Sequence, residues 1–188
     1  MARPRSDDKR NAIMSAATRI IAAQGLGAAT AAIAKEAQVS NGSLFTYFGT
    51  KADLFNQLYV ALKTELAVAA MDGVPKAGNT REQTLHMWSN WLHWLAASPE
   101  KRRTIAQLNL SDDISADSRQ TTHLAMTGVA VLLERSRLEG AMHDAPLPLV
   151  VSLMSAIADT TVDFMIDDPA NAEMYCMTAL DAAWRMLA

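Results

Sequence analysis

The residues best suited to recognising another molecule lie between Thr30 and Phe55, in TAAIAKEAQVSNGSLFTYFGTKADLF. Ser40, Asn41, Gly42 and Ser43 are small and polar and open a short helix that continues through Phe45, Thr46 and Tyr47, with Lys51 just beyond it. Short hydrogen-bonding side chains let a helix end approach a polar surface closely, and a tyrosine hydroxyl and a lysine ammonium suit phosphates. This is the chemistry of duplex DNA recognition, with base edges read by the helix and the backbone held around it. Bond-making chemistry has no comparable support. His86, His93, His123 and His143 form no HExxH pair and no metal-ligand spacing. No GxSxG or glycine-rich phosphate loop occurs. Asp159 and Asp163 lie one turn apart and could be paired carboxylates, but a helix face or an interface is the commoner reason for that spacing. The expectation is a chain that is no enzyme, with no catalytic residue, no metal and no cofactor.

The elements that would position these residues follow from local signals. Ala31, Ala32, Ile33, Ala34 and Ala37 make a small-residue helix that Thr30 is expected to cap. Val39 is apolar in the turn, and Ser40 caps the next helix through its hydroxyl. That helix continues Leu44-Phe45-Thr46-Tyr47-Phe48, with one face buried while Thr46 and Tyr47 can stay exposed, and ends at Gly49. Thr50-Lys51-Ala52-Asp53 resembles a capping box and starts a third helix. The first two form a helix-turn-helix able to enter a major groove.

The pattern Thr30-x-x-Ile33-Ala34-x-x-Ala37-x-Val39-Ser40-x-Gly42-x-Leu44-Phe45-x-Tyr47-Phe48-x-x-Lys51-x-x-Leu54 resembles the DNA-binding signature of the TetR/AcrR family of bacterial repressors. Gln38 departs from it, standing where the family usually has Gly in the turn, and needs an uncommon backbone conformation or a slightly altered turn. The resemblance implies base reading by Ser43, Phe45 and Thr46, phosphate contacts from Tyr47 and Lys51, and a site completed by Thr30, Ser40, Asn41 and Gly42.

The 188 residues suit one large domain or two small ones, and half are hydrophobic. The single cysteine, Cys176, permits no internal disulfide. A reducing, cytoplasmic setting is expected, with no signal peptide, no bilayer-spanning run and no membrane partner. Residues 1–67 carry eight Lys/Arg against five Asp/Glu, a net +3; the remainder carries nine against fifteen, a net −6. A basic N-terminal part on an acidic body agrees with one end meeting phosphates. Arg3 and Arg5, beside Pro4, read as an arm reaching a minor groove or a phosphate, or as a solvated tail.

Periodicity extends the helices along the chain. Ser6 caps a first helix that ends near Gly25. The helix from Thr50 runs to Met71–Gly73 and links the two halves. Thr80-x-x-Gln83 is a capping box for a helix carrying Trp88, Trp91 and Trp94. Ser98-Pro99 begins another, with Ile105, Leu108 and Leu110 buried and Lys101-Arg102-Arg103 solvated. One helix is expected over 117–138, with Leu124, Val131, Leu132 and Leu133 inside. The stretch 147–165 is apolar on most sides, and Asp168-Pro169 caps a last helix. The expected fold is all-α, about nine helices. A helix-turn-helix domain spans 1–49, extended to about 67 by the linking helix, and a ligand-binding and dimerisation domain spans 68–188.

The C-terminal part is similar to the RamR-type multidrug-sensing subgroup of that family. The likeness rests on Trp88…Trp94-x-x-x-x-Pro99-x-x-Arg102, Ile105-x-x-Leu108, Thr160-Thr161-x-Asp163-Phe164-x-x-x-Asp168-Pro169-Ala170 and Trp184-Arg185. It implies a ligand cavity near Tyr59, Lys63, Thr84, Trp88, Ile105, Leu132, Ser136, Val151 and Met154, although Lys63 also reads as a surface lysine. It further implies a homodimer through the last two helices, a palindromic double-stranded DNA operator and release by a small apolar or aromatic inducer. A helical small-molecule-binding protein without operator binding is the alternative, and a small helical enzyme a weaker one.

Overall fold

The computed structural model describes residues 3–187, with side chains from Asp7 onward, and every regular element in that range is helical. In chain order the helices are α1 (Arg3–Gln24), α2 (Thr30–Glu36), α3 (Asn41–Tyr47), α4 (Lys51–Met71), α5 (Thr80–Ala97), α6 (Pro99–Asn109), α7 (Ala116–Ala125), α8 (Thr127–Leu138), α9 (Leu147–Asp167) and α10 (Ala172–Leu187). The all-α expectation holds. The count rises from nine because the helix expected over 117–138 breaks at Met126, whose ψ of 3° leaves the helical range. That break puts Leu124 and Val131 on the surface, against expectation, while Val129, Leu132 and Leu133 are buried.

The chain forms two compact units. One comprises residues 1–64 and 98–124, the other 65–97 and 125–188. In the first, Ile13, Ala16, Ala17 and Ile21 of α1 are fully buried, together with Ile33, Leu44, Phe48, Leu54 and Phe55. Helix α6 packs along α1; Thr104 donates its hydroxyl to Thr18 O at 2.9 Å, and Gln107 reaches Ile21 O. Ile105 and Leu108 face inward, but Leu110 is 87 % exposed, so the expected buried face of α6 stops one turn early. The first half of α4 is tied down by polar contacts: Asn56 Nδ2 donates to Asp113 O and its Oδ1 accepts from Ser115 N, Tyr59 donates to Asn109, and Gln57 accepts from Arg10.

The second unit is built from the end of α4 with α5, α8, α9 and α10. Its core contains Met87, Trp88, Leu92, Leu132, Leu133, Val150, Met154, Ala158, Val162, Cys176 and Leu180. Cys176 is completely enclosed, and burial pushes its thiol above the usual range. Helix α9 is long and apolar enough to cross a membrane by those measures, a correction to the expectation that no such run exists; here its buried face packs on α5 and α10. Its other face exposes Leu149, Leu153, Phe164 and Ile166, beside Met174 and Met177 of α10.

Helix ends depart from the sequence expectations in instructive ways. Helix α1 already runs from Arg3, so Ser6 does not cap it and Arg3 and Arg5 do not precede it; their side chains lie outside the described residues. Ala29, not Thr30, is the N-cap of α2. The capping box of α5 lies one residue earlier than expected: Glu82 N donates to Asn79 Oδ1 at 2.9 Å and Asn79 N to Glu82 Oε2. Thr80 and Gln83 instead receive hydrogen bonds from Arg135 of α8. Ser98 precedes Pro99 at the start of α6, but its hydroxyl makes no cap. Asp168 caps nothing either. A 3-10 turn, Pro169–Asn171, intervenes before α10. The Asp168 carboxylate accepts from Asn171 Nδ2 at 2.8 Å and Tyr175 OH at 2.9 Å, which holds it below the usual carboxylate range.

Candidate nucleic-acid interface and ligand cleft

Helices α2 and α3 are set by two end structures read off the backbone. At the end of α2, Val39 N donates to Ala34 O and Gln38 N to Lys35 O, the pair of bonds of a Schellman motif. Its left-handed position is Gln38, at φ 56°, the only non-glycine residue with positive φ among those described. Of the two possibilities left open there, the uncommon conformation is the one present. Ser40 then caps α3, its Oγ accepting from Ser43 N at 3.0 Å. Helix α3 closes at Phe48, which turns extended at φ −132°; Gly49 supplies no left-handed cap, contrary to expectation. Thr50 caps α4 through Asp53 N at 3.0 Å.

Leu44 and Phe48 anchor α3 in the core and turn its other face outward. Asn41, Gly42 and Thr46 are exposed, Phe45 is 38 % exposed, and Ser43 and Tyr47 are half-buried. The Asn41 amide, the Ser43 hydroxyl and the Tyr47 hydroxyl have no hydrogen-bond partner among the described residues. Thr46 returns its hydroxyl to Gly42 O. A Cβ on Gly42 would meet only Ser40 Oγ at 4.0 Å, so nothing inside the protein requires a glycine there. Lys51 is engaged: its ammonium donates to Leu26 O at 2.7 Å and lies 5.2 Å from the centre of the Phe55 ring. It thereby ties the start of α4 to the α1–α2 loop. Thr30 is half-buried in the first turn of α2.

In the second unit a cleft of about 280 Å³, including its open mouth, is lined by Met87, Trp88 and Trp91 of α5, Leu133 of α8, and Val151, Met154, Ser155 and Ala158 of α9. Trp88, Val151 and Met154 were expected at a cavity. Thr84, Leu132 and Ser136 belong to the same unit but are buried away from the cleft lining; Thr84 Oγ1 and Ser136 Oγ share a hydrogen bond at 2.8 Å, and Ser136 donates to Leu132 O. Tyr59, Lys63 and Ile105 belong to the other unit and do not line it. Lys63 is half-buried, and burial pushes its ammonium below the usual lysine range. Met87, Leu133, Ser155 and Ala158 were missed. Their signal was present, since 84, 87, 88, 91 and 151, 154, 155, 158 are the spacings of single helix faces.

The tryptophans divide. Trp88 and Trp91 face the cleft, and Trp94 donates its indole N–H to Glu65 Oε1 at 3.2 Å. The same helix holds the end of α4: Asn90 Nδ2 donates to Ala70 O and Asp72 O at 3.2 and 2.7 Å. Among the described residues no group of three or more His, Cys, Asp or Glu side chains could hold a metal ion.

Comparison with known proteins agrees with this geometry. Residues 13–58, spanning most of α1 through the first turns of α4, match the family "Bacterial regulatory proteins, tetR family". The HTH-type transcriptional regulator HbdR of Aromatoleum sp. (strain CIB) is 27 % identical over 133 residues, 69 % of this chain and 56 % of HbdR, so the match spans little more than half of that relative. A structure assigned to the tetR family from Shewanella sp. PV-4 superposes with a TM-score of 0.82 at 25 % identity, over 95 % of this chain and 97 % of that one. A TetR family regulator from Marinobacter aquaeolei VT8 gives 0.85 at 20 % identity, over 97 % and 96 %, a likeness of fold. A helix-turn-helix module that matches the tetR family of bacterial regulatory proteins over residues 13–58 is thus joined to a body whose fold is similar, from end to end, to that of TetR-family structures.

Proposed function

We propose that the chain is a ligand-responsive transcriptional repressor, acting in the cytoplasm as a homodimer on a palindromic operator. The observation that carries this reading is the outward face of α3, whose Asn41, Ser43 and Tyr47 groups are unengaged beside a Gly42 that the protein's own packing does not need. In this reading Ser43, Phe45 and Thr46 meet base edges and Tyr47 a phosphate. Lys51 meets a second phosphate with the hydrogens it does not give to Leu26, and Thr30, Ser40, Arg3 and Arg5 border the contact. Residues 1–49, with α4 to about 67, do the DNA work; residues 68–188 bind ligand and dimerise.

The exposed apolar face of α9 and α10 supports the homodimer, as a self-complementary surface does in a two-fold pair. The cleft, lined by apolar side chains apart from Ser155, supports an apolar or aromatic inducer, as the RamR-type likeness implies. Response would pass through Asn90, one residue from the cleft's Trp91 and bonded to the end of α4. Ligand that binds one arrangement of α5 better than another shifts α4 with it. The test is selection of duplexes from a random library by the purified protein at two salt concentrations. A palindromic consensus retained at the higher salt supports the reading. Weak binding without a consensus, vanishing at moderate salt, would reduce the chain to a small-molecule-binding protein.

A further inference from the structure

Resting on that reading of α3, we infer which base pairs it takes: α3 reads A·T pairs alone, with the Asn41 amide on an adenine and the Phe45 ring and Thr46 methyl on thymine methyl groups. Each base pair shows the major groove its own set of donors, acceptors and methyls. Guanine is read there by the paired donors of Arg or Lys, and cytosine by a carboxylate that accepts from its amino group. Helix α3 carries neither: its sequence, NGSLFTY, holds no Arg, Lys, Asp or Glu. The nearest cations in the chain belong to other elements. Lys35 sits in the last turn of α2, and Lys51, at the start of α4, is given to Leu26 O and the Phe55 ring.

What the outward face does carry is matched to A·T. Asn41 is exposed and its amide is unengaged, so one N–H donor and the carbonyl acceptor are available together, the pair that fits adenine N7 and N6. That side chain is short and reaches a base edge only where the backbone comes close. Gly42 beside it adds no atoms, and the space a Cβ would occupy is one the protein does not fill. Phe45 lies one turn on from Asn41 and keeps part of its ring in solvent, although Leu44 before it is fully buried. Thr46 lies one turn on from Gly42, is exposed, and spends its O–H on Gly42 O at 3.1 Å, which leaves its methyl and an acceptor. Ser43 adds no discrimination, because a hydroxyl donates to or accepts from any pair. A helix of seven residues is about 10 Å long, about three base-pair steps of ~3.4 Å, so this face addresses about three adjacent pairs in each half-site.

The experiment uses the full chain and the duplex recovered by selection from a random library, with affinity read by fluorescence anisotropy at one salt concentration. In one series each thymine of a half-site is replaced singly by uracil, which removes only the base methyl. In a second, each adenine is replaced by 7-deazaadenine, which removes only the N7 acceptor. The expected consensus holds about three adjacent A·T pairs in each half-site. Within them uracil should weaken binding about fourfold, the worth of one buried methyl, and 7-deazaadenine about fivefold, the loss of one neutral hydrogen bond. Asn41→Ala should lose the response to 7-deazaadenine and keep the response to uracil. Phe45→Ala should lose the uracil response at one thymine. Thr46→Ser, which keeps the bond to Gly42 O and removes only the methyl, should lose it at another. A G·C pair required at a position whose preference changes in any of these variants would overturn the inference and leave the repressor reading standing. So would modified bases that weaken the unsubstituted protein and its variants equally, as a loosened helix would, or that weaken neither. Selection that yields no consensus removes both the inference and the reading it rests on.

Discussion

Replacing Gln38 by glycine should stabilise the protein. Gln38 holds the left-handed position of the Schellman motif between α2 and α3, at φ 56°. Its side chain is exposed and makes no hydrogen bond among the described residues, so truncation removes no contact. An L-residue pays about 1–2 kcal/mol in that region. Glycine avoids this, but loses roughly 0.5–1 kcal/mol more chain entropy on folding than a residue with a Cβ. The difference leaves a net gain of about 0.5–1 kcal/mol. For a chain of this size that is a rise of roughly 1–4 °C in the unfolding midpoint. The bonds from Val39 to Ala34 and from Gln38 to Lys35 are backbone bonds and survive the change. The assay is differential scanning calorimetry of both proteins, with hydrogen exchange at the Gln38 and Val39 amides. Slower exchange at both amides is expected along with the higher midpoint. An unchanged or lower midpoint would show that this turn carries no conformational strain, and would refute the reasoning. Gln38→Ala is the control: it keeps the Cβ and should give no gain.

Four further outcomes are expected. Ser40→Ala removes the acceptor of Ser43 N and should cost about 1 kcal/mol in chemical denaturation, weakening any operator complex along with the start of α3. Tyr47→Ala should weaken operator binding while sedimentation shows the same oligomer; unchanged affinity would count against the phosphate role. Asn90→Ala deletes both bonds to the end of α4 and should cost roughly 1–2 kcal/mol by denaturation, with a blunted response of operator affinity to ligand. The Asp168 carboxylate is depressed by its Asn171 and Tyr175 donors, so its stabilisation is complete above the ordinary carboxylate pKa of about 4 and disappears as pH falls through the lower folded value. A thermal-melt series from pH 5 downward should lose that component in Asp168→Asn; an unaltered slope would assign it elsewhere.

The DNA-binding region was legible in the sequence because its determinants are local. Ser40 caps the amide three residues on and Thr50 does the same, while at Gln38 the sequence left a strained conformation or an altered turn open, and the left-handed φ of 56° is the one adopted. The second half was legible as helices but not as faces. Val131 and Leu124 obey a helical period, yet the break at Met126 rotates them outward, and nothing local distinguishes a break from a continuous helix. The capping box read at Thr80 and Gln83 does not form: the long-range demand of Arg135 for those two side chains leaves the capping to Asn79 and Glu82. The cleft was half legible. Trp88, Val151 and Met154 were named by likeness to relatives, whereas Met87, Leu133, Ser155 and Ala158, on the same helix faces or across from them, were not.

The enclosed Cys176 gives the molecule a built-in clock. As the chain's only thiol, completely covered and held in its unreactive protonated form, it can react with a thiol reagent only when α10 lifts from α5. At reagent concentrations where reclosing outruns reaction, the modification rate measures the population of that opening without any engineered label. A second copy seated on α9 and α10 would slow the clock with rising protein concentration. A ligand bracing α5 would slow it at fixed concentration, so one residue reports separately on assembly and on occupancy.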